Sequence, residues 1–202
     1  MPETESRTIE LTDPRALRAV AHPIRLELLG LLRRSGPLTA TEAAARIDES
    51  PASCSFHLRQ LAKYGLVEEA GGGRGRQRPW RATAPLTSWS PAGDDVDRRE
   101  ATAMLSRVVV ERYFEQAIEW LGRRHGEPRE WADVSDIGDR VLYATPEELQ
   151  ELDARITALL DRFLDRLEDP GKRPAGARPV NLIQLVFPIA EEAPPPDRGT
   201  EA

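Results

Sequence analysis

The chain has 202 residues, a single cysteine, 28 Lys+Arg against 34 Asp+Glu and a net charge of −6. That length allows one or two compact domains, one cysteine excludes an internal disulfide, and no apolar run is long enough to cross a bilayer. Residues 1–12 are polar and acidic with no apolar signal-peptide core, so a cytoplasmic location is expected.

Residues 1–13 read as an N-terminal arm. Asp13-Pro14 then supplies an N-cap and a proline at the first helical position, which predicts a helix to about Ala21. His22-Pro23 restarts the chain, and Ile24, Leu26, Leu28, Leu29, Leu31 and Leu32 give a second helix with a broad apolar face, ended by Gly36-Pro37. Thr39-Ala40-Thr41-Glu42 matches a capping box and opens a short third helix over about Ala40 to Arg46. A break at Ile47-Asp48-Glu49-Ser50 leads into a fourth helix with Ser50 as cap, Pro51 at its first position and Gly65 after its end. Two short helices joined by such a turn have helix-turn-helix spacing.

Within the fourth helix Cys54, Leu58 and Leu61 recur at i, i+4, i+7 and form an inner face. Ser53, Phe56, His57, Gln60 and Lys63 are assigned to the outer one. Hydroxyls near a helix start, with amide and ammonium groups beyond them, suit base edges and phosphates in a major groove. Val67–Ala70 and Arg78–Thr83 follow as paired strands around a glycine-rich tip that carries Arg74 and Arg76. Glycines permit the tight turn, and the arginines suit a phosphate or a narrow minor groove.

On these motifs, residues 14–84 resemble the winged helix-turn-helix domain of ArsR-type bacterial transcriptional regulators. The segments that carry the likeness are Ala21-His22-Pro23-Ile24-Arg25-Leu26-Glu27-Leu28-Leu29 and Ser53 to Leu61 with its exit Gly65-Leu66-Val67. The resemblance implies that Ser53, Ser55 and Phe56 face DNA, that the wing meets the backbone or minor groove, and that the protein is a repressor. Base reading is assigned to Ser53, Ser55, Phe56 and Gln60, and backbone contact to Arg59, Lys63, Arg74, Arg76 and Arg78. His57 either joins the backbone contacts or locks the helix against its neighbour.

Charge agrees once the chain is divided. Residues 14–84 hold 12 basic and 6 acidic side chains, whereas residues 85–202 carry a net of −9. A basic segment joined to an acidic one is the asymmetry of a polyanion-binding half. Many ArsR-type proteins sense metals through cysteine pairs or His–carboxylate clusters, but this third helix has no thiol. His22, His57 and His125 are scattered singly, so no metal site and no cofactor are expected. Cys54 reads as a small buried hydrophobe in preference to a redox sensor.

The second half is built differently. Pro85–Asp94 reads as a linker, and residues 95–190 as a region for dimerisation or ligand binding. Within it, Val96 to about Gly122 is a long helix with a wide apolar surface. Arg140–Ala144 and Val180–Phe187 are strand-like and expected to pair. Between them a helix opens at Thr145-Pro146-Glu147-Glu148 and carries Leu149, Leu152, Ile156, Leu159, Phe163 and Leu167, almost a heptad seam. Residues 191–202 read as a disordered tail. Tyr113, Phe114, Trp120 and Trp131 either line a small-molecule pocket or are ordinary core, the reading preferred here.

The fold class expected is therefore mainly α with small β: an N-terminal winged helix-turn-helix followed by a C-terminal α+β dimerisation or effector region. The leading function is a sequence-specific regulator that binds double-stranded DNA as a homodimer, acts as a repressor and answers to a non-metal small-molecule effector. The alternative is a winged-helix protein-interaction module. No phosphate loop, nucleophile motif or His–carboxylate pairing marks an enzyme.

Overall fold

Asp13 accepts from the Arg15 amide at 2.9 Å and starts α1 (Pro14–Val20), and His22 precedes Pro23 at the start of α2 (Pro23–Ser35). Thr39 and Glu42 form the capping box of α3 (Ala40–Ile47), and the Ser50 hydroxyl accepts from Ser53 N at 3.1 Å to open α4 (Pro51–Lys63). Between α3 and α4 the chain reverses at Asp48, the one non-glycine residue with positive φ among the described residues (φ 54°), a conformation that aspartate tolerates better than most residues. The computed structural model describes residues 8–73, 78–90, 95–135 and 137–189.

The helices are fastened by two small sheets. Strands β2 (Val67–Glu69) and β3 (Trp80–Ala82) are antiparallel, with Val67 opposite Ala82 and Glu69 opposite Trp80. Leu38, between α2 and α3, exchanges both backbone hydrogen bonds with Trp80 and adds a third position to this sheet. The second sheet pairs β1 (Thr8–Glu10) with β4 (Leu86–Ser88) in parallel register. The core beneath them contains Leu17, Leu28, Leu32, Leu58, Leu61 and Leu66, each fully buried.

That core also takes in the long helix α5 (Val96–Arg123). Its Ala101, Leu105 and Val109 belong to the same apolar cluster as α1, α2 and α4. Ion pairs clamp the helix at two heights: Arg18 of α1 with Asp97, and Glu27 of α2 with Arg112. Beyond Val109, α5 leaves the core, and Phe114, Ile118 and Leu121 are exposed. A 3₁₀ turn (Arg124–Gly126) and the one-turn α6 (Arg129–Ala132) follow. Then α7 (Pro146–Glu168) opens on the Thr145–Glu148 capping box and buries none of its residues fully.

The fold is thus mainly helical with small sheets, and its N-terminal half is a winged helix-turn-helix. Several local expectations need correction. Residues 8–10 of the arm and 86–88 of the linker are strands, because each supplies the other's backbone partners. Residues 140–144 and 180–187 form no strand: neither has regular secondary structure, and Tyr143 and Phe187 are exposed. A strand needs a neighbour to accept its amides, and within one chain these two segments do not provide it for each other. The expected tail, 191–202, lies outside the described residues.

Because α5 completes the N-terminal core, Leu105→Ala is expected to cost about 2–5 kcal/mol of unfolding free energy. Urea denaturation followed by circular dichroism measures it. A loss below about 0.5 kcal/mol, as for an ordinary surface change, would show that α5 is not part of that core.

Candidate nucleic-acid interface

Helix α4 presents two unlike faces. Cys54, Leu58 and Leu61 are buried against α2 and α3, as their spacing requires. Opposite them, Phe56, Arg59 and Lys63 are exposed, with Ser53, Ser55 and Gln60 half-exposed along the same side. At 100° per residue, Ser53, Phe56, Gln60 and Lys63 fall on one stripe and Ser55 and Arg59 flank it. The side chains assigned to base reading, together with Arg59 and Lys63, therefore share one solvent-facing surface. Arg46, in the last turn of α3, is also exposed.

His57 belongs elsewhere. It is 7% exposed, its ring lies 4.6 Å from that of His22, and its Nδ1 accepts from Arg25 Nε at 3.3 Å. Of its two roles, the geometry selects locking α4 against the start of α2, and the backbone-contact assignment is corrected accordingly. Its position three residues after Cys54 and four before Leu61 was the available signal, since that spacing adds it to the inner face. Arg25, which sequence reasoning missed, also donates from Nη1 to Ala19 O and so ties the end of α1 to both histidines.

The wing is only partly described. Arg74 and Arg76 lie outside the described residues. Arg78 donates to Glu69 at 2.8 Å, and Arg81 pairs with Glu68 at 2.6 Å, so both described wing arginines are neutralised by β2 carboxylates across the hairpin. Arg78 can meet a phosphate only by exchanging that partner.

Cys54 is buried in the core, and desolvation pushes its thiol pKa up, the reverse of an activated thiolate. Among the described residues no group of three or more His, Cys, Asp or Glu side chains is placed to hold a metal. No described helix is long and apolar enough to cross a membrane. The four aromatics considered for a ligand pocket do not converge. Tyr113 borders a cavity between α5 and α7, whereas Phe114 faces solvent. Arg124 lies 5.3 Å over Trp120, and Arg178 lies 4.8 Å over Trp131.

Residues 20–70 match the family model described as a helix-turn-helix domain. That span runs from the end of α1 through α2, α3, α4 and β2, so the segment that carries the interface is a helix-turn-helix domain. Two solved structures give low overall superpositions. Reduced HlyU from Vibrio cholerae is 22% identical over 46% of this chain and 81% of its own, with a TM-score of 0.30. A MepR variant from S. aureus, bound to an oligodeoxyribonucleotide, is 14% identical over 73% of this chain and 86% of its own, also at 0.30. No curated protein matches the chain.

The His22–His57 contact makes the interface pH-sensitive. Desolvation and the Arg25 charge hold both imidazoles below the ordinary value of 6.5, His22 adds to the lowering at His57, and Glu49 acts in the opposite sense. The unfolded chain therefore binds protons more readily than the folded one. The stability that these two groups contribute is complete above about 6.5 and is lost as pH falls through their folded values. The thermal midpoint is expected to drop between pH 7 and pH 5, above the range where carboxylates titrate, and His57→Gln should flatten that drop. Equal slopes for the two proteins would refute the coupling.

Proposed function

We propose that this protein is a sequence-specific DNA-binding transcriptional regulator that works as a homodimeric repressor and is released by a non-metal effector. The observation that carries the reading is the outer face of α4, seated in a segment that matches a helix-turn-helix domain. Ser53, Ser55, Phe56 and Gln60 read base edges from the major groove, with Phe56 packing on a thymine methyl or a sugar. Arg59 and Lys63 hold phosphates on either side, and Arg74, Arg76 and Arg78 engage the backbone or minor groove from the wing.

Pairing of two copies is supported by the apolar surface that one chain leaves uncovered. Ile118 on α5 is 67% exposed and Leu159 on α7 is 71% exposed, and Phe114, Leu121 and Phe163 are exposed with them. Apolar surface on that scale marks an interaction site more often than a free face. A dimer also places two α4 helices on half-sites about one helical turn, roughly 34 Å, apart.

Selection of bound duplexes from a random pool at physiological salt is expected to enrich an inverted repeat with that spacing. On the selected duplex, Gln60→Ala should cost about 1–3 kcal/mol while leaving random-duplex affinity nearly unchanged. Arg59→Gln combined with Lys63→Gln should weaken both duplexes and flatten the log–log salt dependence by about 0.9 per lost phosphate contact. No enrichment, with an unchanged salt slope in the double variant, would overturn the DNA reading in favour of a protein-interaction module.

A further inference from the structure

An open groove of about 650 Å³ lies in the second half of the chain, within the size range of small-molecule sites. Its walls come from four stretches far apart in sequence: Leu86 and Thr87 of β4, Tyr113 of α5, Leu152 of α7, and Ile183 and Val186 of the C-terminal segment. The lining is mainly apolar. Asp153 and Gln184 contribute polar groups, and Asp153 is exposed to solvent.

Behind the Thr87 and Tyr113 wall stands Arg33, in the last turn of α2. Its Nη2 donates to Thr87 Oγ1 at 2.6 Å and its Nε to Ala84 O at 3.0 Å. Both acceptors are neutral. Among the described residues no carboxylate pairs with this part-buried guanidinium, whereas Arg18, Arg112 and Arg178 each pair with one. Desolvation lowers the Arg33 pKa to about 10, offset only by the neighbouring Tyr113. A guanidinium has five N–H donors, and the two bonds named use two of them, next to Thr87 and Tyr113, which line the groove. A cationic occupant would gain little in exchange, since the carboxylate available to it, Asp153, is already solvated.

We infer that the cavity binds an amphipathic organic carboxylate, its anionic end on Arg33, Thr87 and Tyr113 and its apolar body between Leu86, Leu152, Ile183 and Val186. This inference rests on the effector reading above and gives it a site and a ligand class. Arg33 belongs to the helix that packs on α4 and β3, and α2 ends at Ser35, three residues before Leu38, which bridges to Trp80 of the wing. A carboxylate that redirects Arg33 acts at the junction between the cavity and the DNA-reading half. Linkage then requires that ligand and duplex alter each other's affinity equally.

Calorimetric titration of the full chain with decanoate, decanol and decylammonium tests the site without DNA. Saturable binding of one decanoate per chain is expected, tighter than either analogue. Arg33→Gln should abolish that preference, weakening decanoate by roughly 10- to 100-fold, as for a hydrogen bond to a charged group. Leu152→Trp, on α7 and away from the DNA-reading core, should fill the chamber and weaken all three probes. No saturable binding, or unchanged decanoate affinity in both variants, would overturn the proposal. A parallel titration of the selected duplex with and without decanoate separates the two levels. Decanoate binding that leaves duplex affinity unchanged keeps the carboxylate site and removes its role as effector.

Discussion

The first half of α5 lies inside the N-terminal core, and the arrangement of the whole chain depends on that packing. Leu105 and Ala101 are as deeply buried as Leu17 of α1, against which α5 lies. Burial of a side chain such as Leu105 contributes about 1.5–3 kcal/mol, and the Arg18–Asp97 and Glu27–Arg112 pairs fix the helix in register as well as in place. An α-helix of 28 residues is about 42 Å long at 1.5 Å per residue. Because one end is seated, the other is carried outward beyond the core, and α6, α7 and the C-terminal segment follow it in the chain. The position of the second half is thus set by side chains in the first.

The same logic explains the small sheets. Three-residue strands have little stability alone, yet β1 and β4 persist because they are parallel neighbours lying over a core that already exists. Leu11, just after β1, is buried in it, and Arg33 bonds Ala84 O and Thr87 Oγ1 at the margin of β4. The β4 strand is therefore shared: one side fastens the N-terminal arm and the other forms a wall of the cavity. A segment that reads as a linker by composition is a structural joint.

What could be read from sequence was whatever depends on near neighbours. The caps at Asp13, Thr39, Ser50 and Thr145 stand where residue type and spacing put them, because a cap is satisfied within three residues. The inner face of α4 followed from the period of Cys54, Leu58 and Leu61. His57 was misassigned because a polar side chain on the margin of an apolar stripe turns inward only if a partner waits there. That partner, the His22–Arg25 pair, is more than thirty residues away. The β1–β4 pairing and the docking of α5 on α1 are likewise contacts between distant segments and leave no local periodicity. Of the candidate site, the exposed stripe of α4 was legible and the part-buried Arg33 was not, since an arginine in an amphipathic helix ordinarily reads as solvated.

The two unpaired segments show the limit of propensity. Residues 140–144 and 180–187 have the alternation and β-branched content of strands, yet neither forms one. Strand propensity is a property of one segment, and a sheet is a property of two. The second segment is held instead by side chains: Asn181 donates to Gln116 of α5 at 2.9 Å, and Arg178 pairs with Glu127 at 2.9 Å. These anchors lay it along α5, where Ile183 and Val186 become cavity wall and not sheet. Had the two segments paired, Ile183 and Val186 would be committed to a sheet and the chamber would lose one side. Within the described chain the lack of pairing and the groove thus go together, the second segment being tied to Gln116 of α5 and to Glu127 just beyond it.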